Sequence, residues 1–322
     1  MRTVVITGIT GKSGQYFLKQ LVKEREQLKD YSFILLCRKS EKPFQNSEGY
    51  LLVKKVLEKE EYNIGLLEAD LENPEEVRKA FVNPVYMLIH IASVKLSMDI
   101  VPVAMECGVD NYVLVHTTGI YSKYKAAGEE YRQIEKKIEK LKQYYQRNGR
   151  EIALTILRPT MIYGDLSDKN VSIFIKMVDK LRIFPTVNGA HYDLQPVWCG
   201  DLGKAYFDVM MNWEVTKNKE YILSGGAPIS LRKMFEVMAK QLHVKNIFVS
   251  CPFPIAYVGA WGIYLISIKK IDMREKVQRL VEPRAFSHEE AAKDFGYNPV
   301  TFDVGVRKEI QMYRKEKCKI SQ

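Results

Sequence analysis

Short apolar runs recur along the first half of the chain, each closed by polar or small residues and followed by a stretch with helical spacing. Thr3–Thr7 is the first, and a helical pattern runs from Ser13 to about Leu28. Phe33–Cys37, Ile64–Asp70, Val85–Ile91, Tyr112–His116 and Ile152–Leu157 continue the series. Between them, Asn73-Pro74-Glu75-Glu76 opens a helix with acids in its first turn, another helix ends near Gly108, and a charged helix covers Glu129–Tyr145. A sheet with one wet face would alternate apolar and polar positions. Strands that are apolar throughout and separated by helices instead predict a parallel sheet covered on both faces. Right-handed crossovers make it a doubly wound α/β fold of the Rossmann type.

Beyond Arg158 the alternation weakens. The pattern predicts a dinucleotide-binding Rossmann domain over residues 1–164, which also receives 194–224 and part of the C-terminus. Segments 165–193 and 225–300 form a smaller C-terminal substrate lobe. Within it, Ile255–Ile268 carries no charge over 14 residues, too few to span a bilayer. A buried helix lining the lobe is the expectation there; a greasy substrate groove and a shallow dip into a membrane are the alternatives.

The formal charge of +10 invites a nucleic-acid or membrane-surface reading. The excess, however, is spread through Lys-rich helices and the tail Arg314–Lys319, with no compact basic cluster interleaved with aromatics. A solvated surface is therefore expected, with no nucleic-acid partner. The five cysteines are scattered and no pair has metal-ligand or redox spacing, so no metal is expected and a reduced, cytoplasmic setting fits. No charged leader precedes an apolar segment at the N-terminus.

The chemistry begins at residue 7. Thr7-Gly8-Ile9-Thr10-Gly11-Lys12-Ser13-Gly14 follows the first strand directly and opens a helix. Glycines at this spacing allow a tight turn, close approach of backbone to a pyrophosphate and close packing of helix on strand; the helix start then offers free N–H groups to the anion. Gly11-Lys12-Ser13 follows Gly8 after only two intervening residues, so no Gly-Lys-Ser/Thr ending occurs at the spacing an ATPase-type phosphate loop requires. The second strand ends in Cys37-Arg38-Lys39-Ser40. An acid there would bind the ribose hydroxyls of NAD, whereas the basic pair Arg38 and Lys39 suits the 2′-phosphate of NADP, so NADP(H) is favoured over NAD(H).

With this loop in place, later segments resemble the short-chain dehydrogenase/reductase superfamily, in its extended or atypical epimerase/dehydratase branch. Ala69-Asp70-Leu71 is similar to the family's A-D-L segment beside the adenine, and His90-Ile91-Ala92-Ser93 to its H-x-A-A beside the cofactor. Leu157-Arg158-Pro159-Thr160 through Gly164 is similar to the L-R-P-x-x-x-Y-G that borders nicotinamide and substrate. Gln195–Leu202, Phe286–Ala292 and Phe295–Pro299 resemble its closing segments. The resemblance covers nearly the whole chain. It implies a nicotinamide cofactor held by the loop together with Asp70, Leu71, His90, Ala92, Ser93, Arg158, Pro159 and Thr160. It also implies oxidoreductase or epimerase/dehydratase chemistry on a small carbonyl, hydroxyl or sugar-derived substrate, and a homodimer paired through the Glu129–Tyr145 helix.

The family's redox members use a Ser/Thr with a Tyr-x-x-x-Lys pair. Thr117 or Thr118 matches the hydroxyl residue and Tyr131 the general acid/base, but the residue four further on is Glu135. A carboxylate can still accept hydrogen bonds from the ribose, yet its charge would raise the Tyr pKa, the wrong direction for a proton shuttle. Lys123, Lys125 or Lys136 could restore the cation, or Tyr121 with Lys125 could be the working pair. Otherwise the protein is a catalytically degenerate NADP-binding sensor or scaffold.

Overall fold

Neighbouring residues of the first strand belong to opposite core faces. Val4 and Ile6 pack with Phe17, Leu21 and Leu202, while Val5 packs with Leu88, Ile100 and Leu114. Successive side chains of a strand point to opposite sides, so a strand apolar at every position must lie between two layers. The structure, a computed structural model, describes residues 1–38, 48–59, 63–124, 126, 128–268, 270 and 272–320. Its central sheet holds β1 (Arg2–Thr7), β2 (Tyr31–Cys37), β3 (Ile64–Glu68), β4 (Met87–His90), β5 (Asn111–Val115), β6 (Ala153–Pro159) and β7 (Glu220–Leu223). Their order is β7-β6-β5-β4-β1-β2-β3 and every pairing is parallel. All six runs read from the first half of the sequence are strands of this sheet, and the seventh lies within the stretch 194–224 expected to join it.

The α-helices of five or more residues are α1 (Lys12–Lys23), α2 (Glu48–Leu57), α3 (Pro74–Arg78), α4 (Ser97–Glu106), α5 (Gly128–Arg147), α6 (Val171–Lys180), α7 (Cys199–Met211), α8 (Leu231–Leu242), α9 (Phe253–Ile266), α10 (Arg274–Leu280), α11 (Glu289–Phe295) and α12 (Phe302–Ile320). Asn73 caps α3 through its side chain, with Pro74 opening the helix and Glu75 and Glu76 in the first turn, as the sequence signals. On α5, Ile134 and Ile138 are buried and Leu141 partly so, the apolar stripe of an otherwise charged helix.

A third core joins α6, α8 and α12 around Ile175, Phe184, Phe235, Met238 and Val306. Two short parallel strands, Ile183–Val187 and Ile247–Cys251, flank it. Ala291, Phe295 and Tyr297 instead join the sheet's core, so the chain returns to the main body before residue 300 and then gives its last helix to the smaller lobe. One expectation fails. Residues 253–266 do form a helix, but only Ala260 of it is buried. An uncharged run has no polar face to mark which side meets solvent, so its composition suggested a burial that the fold does not supply.

Candidate functional site

In a doubly wound sheet, ligands bind beyond the carboxyl ends of the strands, where the strand order reverses. Here β1 lies between β2 and β4, and the loops after β1, β4, β5 and β6 all emerge at that edge. The first loop is shaped by its glycines. Gly8 has φ of +72°, and a Cβ on it would lie 2.5 Å from the backbone nitrogen of Ala92. A Cβ on Gly14 would run into the carbonyl oxygen of Gly8. The loop can therefore lie directly against the chain after β4 only without side chains. Gly11 caps α1 with no side-chain bond and no acid occupies the first turn, so the helix start is left for an anion, with Lys12 beside it.

A cleft of about 690 Å³ opens at this edge. Lys12, Thr117, Thr118 and Thr160, all expected from the sequence, line it. The backbone N–H of Gly119 donates to Thr117 Oγ1 at 2.9 Å, which leaves the hydroxyl proton of Thr117 to give. Thr118 spends its proton on the carbonyl of Pro159 at 3.2 Å. Thr160 donates to the carbonyl of Gln195 at 2.5 Å. Tyr131, in the first turn of α5, packs against the second core face and is not among the residues lining the cleft.

Other expected residues take structural partners. Thr7 and His90 are fully buried and bond each other, Oγ1 to Nδ1 at 2.7 Å, tying β1 to β4. Burial, then the nearby His116, depresses the His90 pKa to about 3, so the ring is neutral. Ser13 is buried and accepts from Tyr206 on α7. Leu71 is buried, Ala92 half-buried, and Ser93 and Asp70 exposed, with Asp70 accepting from the backbone of Glu72. The carbonyl of Thr10 accepts from Gln15. Arg38 is exposed at the end of β2. Lys39 and Lys125 lie outside the described residues.

The largest departure concerns Glu135. His116 Nδ1 donates to its Oε1 at 2.7 Å, and Arg158 grips both oxygens, at 2.6 and 2.9 Å. Arg158 also holds Glu220 of β7 through Nε at 2.5 Å and Nη2 at 2.8 Å, and Tyr121 donates to Glu220 at 2.5 Å. Burial alone would raise the Glu135 pKa, but the bonds from His116 and Arg158 outweigh it and hold the carboxyl down at about 2. Both carboxylate oxygens are thus engaged inside the protein, and Arg158 faces them instead of the cleft edge. Lys136 lines a separate, smaller cleft along with Glu135 and Arg158. Of the three candidate cations, Lys123 lines the main cleft.

The far wall comes from the smaller lobe and carries residues that the sequence did not single out. Glu282 accepts from Ser122 Oγ at 2.7 Å and from the Lys123 backbone at 2.9 Å, latching the lobe to the loop after β5. Arg279 and Arg284 line the same wall, and each has a buried Nε with no hydrogen-bond partner. Burial first, then Arg279, pushes the Arg284 pKa down to about 10. The sequence's one cue to Arg284 is its position just before the Phe286–Ala292 segment. Among the described residues no cluster of His, Cys, Asp and Glu could hold a metal ion, and no helix is long and apolar enough to cross a membrane.

No protein-family model and no curated protein sequence matches this chain. Solved structures do. A UDP-glucose 4-epimerase with UDP-glucose from Thermotoga maritima shares 16% identity at a TM-score of 0.66, covering 98% of this chain and 99% of that one. A UDP-glucuronic acid 4-epimerase from Bacillus cereus, in complex with UDP-glucuronic acid and NAD, shares 13% at 0.67, covering 97% and 99%. A dTDP-glucose 4,6-dehydratase from Bacillus anthracis in complex with NAD shares 14% at 0.68, covering 98% and 97%. The chain therefore has, over nearly its whole length, the α/β fold of the epimerase/dehydratase enzymes that its sequence motifs resemble.

Proposed function

We propose that this protein is a nicotinamide-dinucleotide-dependent enzyme of the epimerase/dehydratase type, acting on a sugar-derived substrate that carries an anionic group. One observation carries the reading: the cleft has Lys12, from the helix start that follows the glycine loop, on one wall and Arg279 with Arg284 on the other. Paired guanidinium groups with unmatched buried N–H donors are costly unless an anion meets them. A phosphate or diphosphate on the substrate supplies that partner, in keeping with the nucleotide sugars named for the similar structures.

The dinucleotide suits the loop: its glycines let it lie tight against the chain after β4, and the α1 start with Ser13 and Lys12 would hold the pyrophosphate. Arg38 favours NADP(H) over NAD(H) through the 2′-phosphate. When bound, the nicotinamide supplies hydride acceptance and return. Thr117, with its proton free to donate, orients the substrate oxygen; Tyr131 is the acid/base by its place in the motif, and from its position against the second core face it would have to turn into the cleft to act. A second reading, a cofactor-binding sensor or scaffold without turnover, is favoured by the engagement of Glu135 with Arg158 where a ribose-holding lysine would stand.

Calorimetric titration with NADPH and NADH, beside Arg38→Ala, tests the cofactor. Tight NADPH binding weakened by the variant is expected; NADH preference overturns the NADP assignment, and no binding of either overturns the proposal. With a nucleoside-diphosphate sugar panel, Arg284→Ala should weaken binding and Tyr131→Phe should abolish turnover. Cofactor binding with no turnover of any panel member, indifferent to Tyr131→Phe, would establish the sensor reading.

A further inference from the structure

The helix α9, Phe253–Ile266, stands out from the smaller lobe with Ile255, Val258, Trp261, Ile263, Leu265 and Ile266 exposed, the last at 86%. At 100° per residue these side chains, with Ile268 just beyond, spread over an arc of roughly 220° around the helix. Ala260, the buried residue, falls in the middle of the remaining arc. A helix packed in a protein groove shows an apolar stripe backed by a polar face; this one has no polar face. The strand pair leading into it adds Ile183, Ile247 and Val249, all exposed, with Ile247 in register with Ile183. Scattered exposed apolar residues are ordinary, but a contiguous group of this kind marks an interaction surface.

The charge along the segment that carries the helix is of one sign. No Asp or Glu occurs from residue 237 to residue 271, a stretch that contains Lys240, Lys245, Lys269 and Lys270. Lys240, Lys245 and Lys270 are exposed, as is Arg182 beside Ile183. The next acid, Asp272, is bound by Arg274 at 2.6 and 3.0 Å. Arg274 in turn stacks over Trp261 and Tyr264, at 4.3 and 4.0 Å from the ring centroids. Aromatic rings with cations at their edge, next to bare aliphatic side chains, are what the boundary between lipid headgroups and acyl chains accommodates. At about 1.5 Å per residue the helix is roughly 21 Å long, shorter than the ~30 Å hydrocarbon core, so it lies in the surface and does not span. A second copy of the same chain would bring two basic rims together, and the chain's net charge of +10 opposes that.

We propose that α9, with the Ile183/Ile247 strand pair, is a docking surface for an anionic phospholipid bilayer, its apolar side chains entering the acyl boundary and the Lys rim meeting the headgroups. The site is separate from the cleft, although α10, which packs on α9, carries Arg279 to the cleft wall.

The test is co-sedimentation of the full chain with vesicles of phosphatidylcholine alone or mixed equally with phosphatidylglycerol. Val258 and Ile266 are exposed, so Val258→Glu with Ile266→Glu leaves the packed core untouched; far-UV circular dichroism verifies it. The wild type should pellet with the mixed vesicles and be released as salt rises. The glutamate pair should weaken binding by roughly a hundredfold, as the loss of two buried aliphatic side chains implies, and Lys245→Glu with Lys270→Glu should remove the anionic preference. A wild type that stays soluble with both vesicles overturns the proposal. So does pelleting that the glutamate pair leaves unchanged, and so does a solution dimer that the same pair dissociates, which would assign the face to a second copy.

Discussion

Replacing Glu135 by Lys would restore the Tyr-x-x-x-Lys spacing of redox-active relatives, and the structure says what it would break. Arg158 has a side chain 4% exposed and two carboxylate partners, Glu135 at 16% and Glu220 at 42%. Lysine removes the more buried partner and puts a cation beside the guanidinium; two like charges about 4 Å apart repel by roughly 4 kcal/mol at an effective dielectric of 20. Breaking a buried pair while leaving one charge uncompensated costs about 3–5 kcal/mol, and the smaller cleft beside Lys136 gives the new ammonium some escape toward water. Glu135→Lys should therefore lose about 3–5 kcal/mol of stability. Glu135→Gln, which keeps the shape and surrenders the charge, should lose about 1.5–3 kcal/mol. Urea unfolding followed by circular dichroism would register the Lys variant as a midpoint lowered by about 1 M or more, at a slope near 3 kcal/mol per molar. The acid limb adds a second readout. A carboxyl held near 2 contributes stability that is present above the ordinary carboxylate range and lost as pH falls toward 2, and this loss should be missing in Glu135→Gln. If Glu135→Lys unfolds at the wild-type midpoint, or gains hydride transfer, the reasoning is refuted and position 135 faces the cofactor.

Two further predictions follow from particular residues. Glu309 on α12 is fully buried, and burial first, then the Asp168 carboxyl, raises its pKa to about 9. The folded state thus holds a proton the unfolded chain releases, so stability should fall as pH rises from about 5 to 9 by on the order of a few kcal/mol; Glu309→Gln should flatten that slope, and an unchanged slope in thermal unfolding between those pH values would contradict the assignment. Gly8→Ala puts a Cβ at positive φ and 2.5 Å from the Ala92 nitrogen, a cost of about 3 kcal/mol or more from backbone strain and displacement. It should lower the unfolding midpoint and abolish dinucleotide binding, whereas wild-type affinity by calorimetry would show that the loop does not need this approach.

The order of apolar runs, the glycines after β1 and the cap at Asn73 were enough to specify the parallel sheet, because burial on both faces leaves its mark at every strand position and tight backbone approach leaves it as glycine. Thr117, Thr118, Lys12 and Thr160 were legible as cleft residues for the same reason: they follow strand ends, where a doubly wound sheet must bind. The fate of Glu135 was not. Its partners His116 and Arg158, and Glu220, the second carboxylate on Arg158, come from three neighbouring strands or the turns that leave them. Only the lateral order β7-β6-β5 brings them together, and no spacing along the chain encodes that order. Arg279 and Arg284 likewise become one cationic wall only when the smaller lobe closes on the loop after β5 through Glu282. The sequence by itself set α9 apart as an uncharged helix too short to span. Whether those side chains face a core or the outside depends on how much apolar surface the rest of the lobe offers, and in the tertiary structure Ala260 is the one residue of the helix that it buries fully.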